Sequence, residues 1–242
     1  MKKVFLFLFA VLGLPMVWVL TRGVLEALAI EAVEGNFFTE GRIAFAIGCV
    51  VMTALYVWKG QAWQILYIFA HEMTHALVGL LFFARIHKVS VKMTGGFVQL
   101  SKTNVLITLA PYCVPFYLLV SVILYGLAQW MTIDVIPFWI WAFLFGVTAT
   151  FHVWYTANAL LAVSQPDTHE YGRFFSWWFI LVMNLVFVTL ALVVTSPQIT
   201  LRGQTHRLMN SSRGIYVQLY HHVKTLSAHV LNQVSTPERD VR

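Results

Sequence analysis

The chain has 242 residues, of which 59% are hydrophobic and 11% charged, with a formal net charge of +6. This apolar excess and a mean hydropathy of +0.74 exclude an ordinary soluble domain, which carries about 45–50% apolar and about 25% charged residues. The positive balance comes without a basic block or a nucleic-acid motif, so Lys and Arg flanking membrane segments account for it and no nucleic-acid partner is expected.

Run lengths predict an all-α polytopic membrane protein with about six transmembrane helices. The first span, 4–20, follows Lys2 and Lys3. It has the basic start of a signal peptide. It is long, however, and no small-x-small cleavage site follows directly, so a retained anchor is expected. Residues 21–42 read as an acidic connector with Glu26, Glu31, Glu34 and Glu40. The second span, 43–58, and the third, 62–84, are separated only by Lys59-Gly60-Gln61 and predict an antiparallel helical hairpin.

The third span contains His71-Glu72-Met73-Thr74-His75. On a helix, positions i and i+4 share one face, so His71 and His75 can hold one metal ion. Glu72 beside them can take a proton from a water that the metal activates. Nine His and seven Glu in the chain give about 0.01 chance matches to HExxH. An acid and two histidines inside an apolar helix are costly, and such a group is read as functional by default.

Residues 87–102 do not read as helix. Val89, Val91 and Met93 alternate with Lys88, Ser90 and Lys92, and Gly95-Gly96 offers the positive φ of a tight turn before the return strand Phe97-Val98-Gln99-Leu100. A short β-hairpin directly after the HExxH helix is therefore expected. Its exposed edge, around Gly95, Gly96, Phe97 and Val98, would pair with an extended peptide.

The fourth span, 105–131, is interrupted by Pro111 and Pro115. The fifth, 135–162, carries His152, Tyr155, Thr156 and Asn158, and the sixth, 174–194, carries Asn184. Beyond Thr195, apolar residues at Ile215, Leu219, Val223, Leu226, Val230 and Val234 predict an amphipathic helix on the membrane surface or on a partner. His221, His222 and His229 are expected to decorate it. Cys49 and Cys113 fall in apolar spans and read as free thiols. The chain thus divides into an anchor and connector (1–42), a membrane-embedded core (43–195) and a polar tail (196–242).

A catalytic zinc site usually has three protein ligands and an open position. Among the three aspartates, Asp134 sits in a connector, Asp240 in the tail, and Asp167 between a proline and a membrane span, where a helix N-cap is the plainer role. His152 competes with Asp167 as the third ligand, and His169 and Glu170 are weaker candidates. Whichever of Asp167 and His152 does not bind would orient a ligand or the substrate, with Asn158 nearby.

Taken together, these features resemble the site-2 protease family of intramembrane zinc metalloproteases over about residues 65–194. The resemblance rests on HEMTH within a membrane helix, a hairpin where the family has a re-entrant β-loop, the proline-containing stretch 104–115 (NVLITLAPYCVP), and Pro166-Asp167 followed by Gly172-Arg173. The chain departs from the family pattern in having Thr168 to Tyr171 between the Asp and the Gly, and in lacking the usual Gly-Pro of the proline helix. The resemblance implies a small, divergent bacterial-type member, multi-pass in the inner (cell) membrane. It implies one Zn2+ per chain, held by His71, His75 and Asp167, with Glu72 as general base, and a membrane protein or peptide as substrate. Two other readings stay open. One is a membrane zincin of another family, with Glu170 as ligand. The other is a non-catalytic metal-binding or membrane-protein-binding homologue, against which the intact Glu72 argues. Lys2 and Lys3 suggest an inside N-terminus. Six spans then put the basic hairpin outside, whereas the resembled family keeps its β-loop on the cytoplasmic side. The oligomeric state is not legible in the sequence.

Overall fold

The computed structural model describes residues 2–34, 38–132, 136–162, 165–196 and 198–235. Asp134, Glu238 and Asp240 lie outside the described residues. In chain order the elements are α1 (Lys2–Leu12), α2 (Leu14–Glu34), α3 (Glu40–Lys59), α4 (Gln64–Leu81), β1 (Ile86–Lys92), β2 (Gly95–Leu100), α5 (Val105–Leu109), α6 (Phe116–Trp130), α7 (Phe138–Ala162), α8 (Pro166–Glu170), α9 (Arg173–Thr195) and α10 (Leu201–Ser235), with short 3-10 turns at Gly60–Trp63 and Ala110–Tyr112. The chain is mostly helical, with one two-stranded antiparallel sheet.

Three stretches are long and apolar enough to cross a membrane: Glu40–Leu81, Phe138–Leu161 and Arg173–Thr195. Two bent pairs, Lys2–Leu12 with Leu14–Val33 (43°) and Val105–Tyr112 with Phe116–Trp130 (83°), bring the number to five at most. The expected six spans are therefore not reproduced. The acidic stretch 21–34 is the second half of α2, where Arg22 and Glu26 form an i,i+4 ion pair at 2.7 Å.

The chain forms two compact units. The first comprises residues 1–10 and 36–184, the second 11–35 and 185–242. In the first, α3 and α7 pack closely. Gly41 lies against Phe138, Gly48 against Phe143, and Thr53 Oγ1 accepts from Trp154 Nε1 at 3.1 Å, so the two helices run parallel. A Cβ on Gly48 or Gly146 would run into the carbonyl of Phe143 or Phe45. Small residues let membrane helices approach in this way, because van der Waals packing replaces the hydrophobic drive. On α4, Tyr67 stacks on Tyr155, and Tyr67, His71 and Thr74 share a cavity with His152 and Thr148. Hence α4 runs antiparallel to α7, and the chain reverses at the Gly60–Trp63 turn, whose Gly60 carbonyl accepts from the Tyr155 hydroxyl. The anticipated reversal is present, with α3 and α4 both resting on α7.

The fourth expected span is broken by a sharp bend. Going down the chain, Ile107 meets His75, Tyr112 meets His71, Phe116 meets Phe69, and the Tyr117 hydroxyl donates to the Leu66 carbonyl. This arm descends along α4 against its direction. After the 83° bend α6 turns back, with Tyr125 against Trp141 and Phe138 near the start of α7. The physical cause lies in the two prolines: Pro111 sits in the 3-10 turn and Pro115 caps α6, so neither arm continues the other's hydrogen-bond ladder.

Within the same unit, α1 lies along the start of α9, with Phe7 on Phe174 and Phe9 on Trp178. In the second unit, Gln204 of α10 is buried and donates to the Gly23 carbonyl of α2 at 2.9 Å. The amphipathic helix of the tail is present and begins at Leu201. His221 and His222 are exposed on it.

Candidate metal centre

The centre is built from α4, α5, the adjoining 3-10 turn, the hairpin and α8, all in the first unit. One helical turn places the rings of His71 and His75 4.9 Å apart on one face of α4. Asp167 enters from α8, whose first turn is started by Pro166 with its fixed φ. Its Oδ2 lies 3.2 Å from His71 Nε2 and 3.4 Å from His75 Nε2. The three ligand atoms all lie within 4.8 Å of one another. A tetrahedral zinc with bonds of about 2.1 Å has ligand–ligand edges of about 3.4 Å. The two measured edges match that figure, and two imidazoles with one carboxylate form a zinc-type donor set, so these residues fit the ion. Among the described residues this is the one such group.

The supports of these ligands are ordered. His75 Nδ1–H donates to the Ile107 carbonyl at 2.9 Å, which fixes the ring with Nε2 as the nitrogen that faces Asp167. The Asn104 side chain caps α5 by accepting from Ile107 N, fixing that carbonyl's helix. Tyr112 is fully buried, and its hydroxyl donates to Asp167 Oδ2 at 3.0 Å. Asn184 Nδ2 donates to the Tyr112 carbonyl at 3.0 Å, holding the residue from its other end. Burial pushes the Asp167 carboxyl up, but the hydrogen bonds and charges of His71 and His75 outweigh it and hold the group well below the usual carboxylate range.

The sequence does not single out Tyr112. The available signal was a hydroxyl-bearing aromatic in a proline-broken apolar stretch, and apolar spans of this chain contain many such rings. The displaced glycine has a direct structural explanation. Thr168 to Glu170 complete the short helix α8, and Gly172, at φ +92°, takes the chain out of it into α9. Asp167 is thus within the first turn of α8 and the N-cap is Gln165.

The hairpin turn falls on Met93-Thr94, not on Gly95-Gly96, and the register pairs Lys92 with Gly95 and Val91 with Gly96. Gly95 uses its freedom at φ +140°. Gly96 serves a different end. A Cβ there would lie 2.6 Å from Glu72 Cγ and 2.7 Å from Oε1, so β2 lies directly on the Glu72 side chain, which is buried. Farther along, Leu100 packs on Gly79. Phe97 is exposed and Val98 half-buried.

Of the other candidates, His152 stands outside the three-residue ligand group and lines a cavity together with His71. Asn158 is exposed, and His169 and Glu170 are exposed and do not join that group. Cys113 is buried and Cys49 half-buried, and both are free thiols. No family model, curated protein or solved structure matches this chain.

Proposed function

We propose that the protein is an intramembrane zinc metalloprotease of the site-2 protease type, hydrolysing peptide bonds of membrane-associated proteins in a bacterial inner membrane. The observation that carries this reading is the convergence of Asp167 on His71 and His75 at tetrahedral spacing, with Glu72 on the same helix. Zinc held by these three residues would supply Lewis acidity, lowering the pKa of water toward about 7 and polarising a carbonyl. Glu72 takes the water's proton and delivers it to the leaving amine. Tyr112 and the Ile107 carbonyl keep Asp167 and His75 aimed while charge develops. The strand edge at Gly96, Phe97 and Val98 offers backbone groups to an extended substrate beside Glu72. Bond cleavage requires an unfolded backbone, and a helix unwound onto this edge would provide one.

In the membrane we infer five crossings: α1 with α2, then α3, α4, α7 and α9. A single helix over Glu40–Leu81 would be about 63 Å long, twice the roughly 30 Å of a bilayer core, which supports separate crossings by α3 and α4. The arms α5 and α6 enter and leave on one side.

The test is cleavage of a co-expressed membrane substrate, identified as a protein that accumulates uncut in a Glu72→Gln strain. Glu72→Gln is expected to retain zinc and lose cleavage by about 10²–10⁴-fold. Undiminished cleavage would sink the proteolytic mechanism. Zinc binding with no turnover of any membrane protein would favour a non-catalytic metal-binding role.

A further inference from the structure

The two histidines of α4 are supported unequally. His75 Nδ1 has the Ile107 carbonyl as its partner. His71 Nδ1 is sealed from solvent and has no hydrogen-bond partner. A metal-binding imidazole almost always donates its second N–H to an acceptor, which fixes its tautomer and raises its basicity. Leaving a buried N–H without one is costly.

Two more buried polar atoms lie around the same cavity. His152 Nε2 is buried without a partner, and the buried Tyr67 hydroxyl has only Thr156 beside it. Tyr67, His71 and His152 all line this cavity, and the remainder of its wall includes Pro111, Val114 and Phe151. The space open to the centre of a water-sized sphere is about 10 Å³. One water needs about 10–15 Å³ on that measure, and it needs two to four polar partners. The volume reaches the lower end of that range, and three residues with such polar atoms line the cavity. The donor and acceptor roles also balance. His152 Nδ1 lies 3.4 Å from Thr156 Oγ1, and with the proton on Nδ1 its Nε2 is an acceptor.

We propose that one water molecule occupies this cavity, accepting from His71 Nδ1–H, donating to His152 Nε2 and sharing its third bond with the Tyr67 hydroxyl. His152 and Tyr67 are then positioning residues for the ligand His71 and do not themselves touch the metal. The inference rests on His71 being a ligand, as in the proposed function.

The test uses the full-length protein in detergent and measures zinc affinity by competition with a chromophoric chelator. His152→Phe fills the cavity and removes the acceptor, and its zinc Kd is expected to rise about 10–100-fold. His152→Gln keeps an acceptor and should recover most of the affinity. Tyr67→Phe leaves two of the three partners and should weaken binding only a few-fold. The Co2+ absorption spectrum should show the same coordination in wild type and His152→Gln. Wild-type affinity in His152→Phe would overturn the proposal. So would a lost ligand in the Co2+ spectrum of His152→Gln, because His152 would then be bound directly. If wild type itself binds no zinc, the metal centre fails along with it. If wild type binds zinc and the His152 variants match it, only this inference fails. Should His152→Phe not fold, His152→Leu removes the acceptor in its place, with the same expected loss, and wild-type affinity there would equally overturn the proposal.

Discussion

Tyr112 shows how a residue with no chemistry of its own can govern a candidate metal site. Its hydroxyl holds the one Asp167 oxygen that faces both imidazoles, and its burial leaves it no water as a substitute. A hydrogen bond to a charged group is worth about 1.5–3 kcal/mol. Tyr112→Phe keeps the ring packing and deletes that bond, so zinc affinity should fall about 10–100-fold with the fold intact. Chelator competition beside a far-ultraviolet circular dichroism spectrum checks both parts, and unchanged affinity would make the contact incidental. At this scale the sequence was most informative about His71, Glu72 and His75, because a helix translates their spacing directly into one face. It favoured Asp167 over His152 as third ligand but carried no geometry for the choice, which depends on which one faces α4 across nearly a hundred residues.

The hairpin is the element whose glycines meant something other than their pattern suggested. Gly95-Gly96 read as a turn, and the turn is formed by Met93-Thr94. Gly96 is glycine because the strand lies on Glu72 with no room for a Cβ. Gly96→Ala should therefore push the carboxylate or the strand by several tenths of an ångström. Zinc content should hold while kcat falls about 10²-fold, the penalty expected for a small misplacement of a catalytic group. Gly95→Ala is the paired control. A Cβ there meets nothing within 4 Å, so it strains φ alone and spares Glu72. Equal activity loss in both variants would assign the effect to hairpin stability. The proline-broken segment carries the same lesson, because its apolar length alone reads as a span.

For the whole molecule, the proposed arrangement, in which α5 and α6 turn back, would change the parity of the chain across the membrane. Six through-spans put the hairpin and the tail on opposite sides. The five crossings proposed above would put them on the same side, together with Arg85, Lys88, Lys92, Lys102 and the tail cations Arg202, Arg207, Arg213 and Lys224. That side carries the excess of Lys and Arg and is expected to be cytoplasmic, even though Lys2 and Lys3 lie on the other. Lys92→Cys and Arg213→Cys, each in a Cys49→Ala, Cys113→Ala background, should react with an impermeant thiol reagent from one and the same face of the membrane. Labelling from opposite faces would restore the continuous span at 105–131. The sequence by itself determined the membrane class, the helical reversal after Lys59, the hairpin and the HExxH face, because run length, alternation and helical period are local quantities. Only the tertiary structure decided that 105–131 turns back, that Gly96 covers Glu72, that Tyr112 holds Asp167 and that Asp167 rather than His152 closes on the two histidines. Each of these depends on which distant segments share a level of the bundle, and that is set by packing across α4 and α7 that no local pattern encodes.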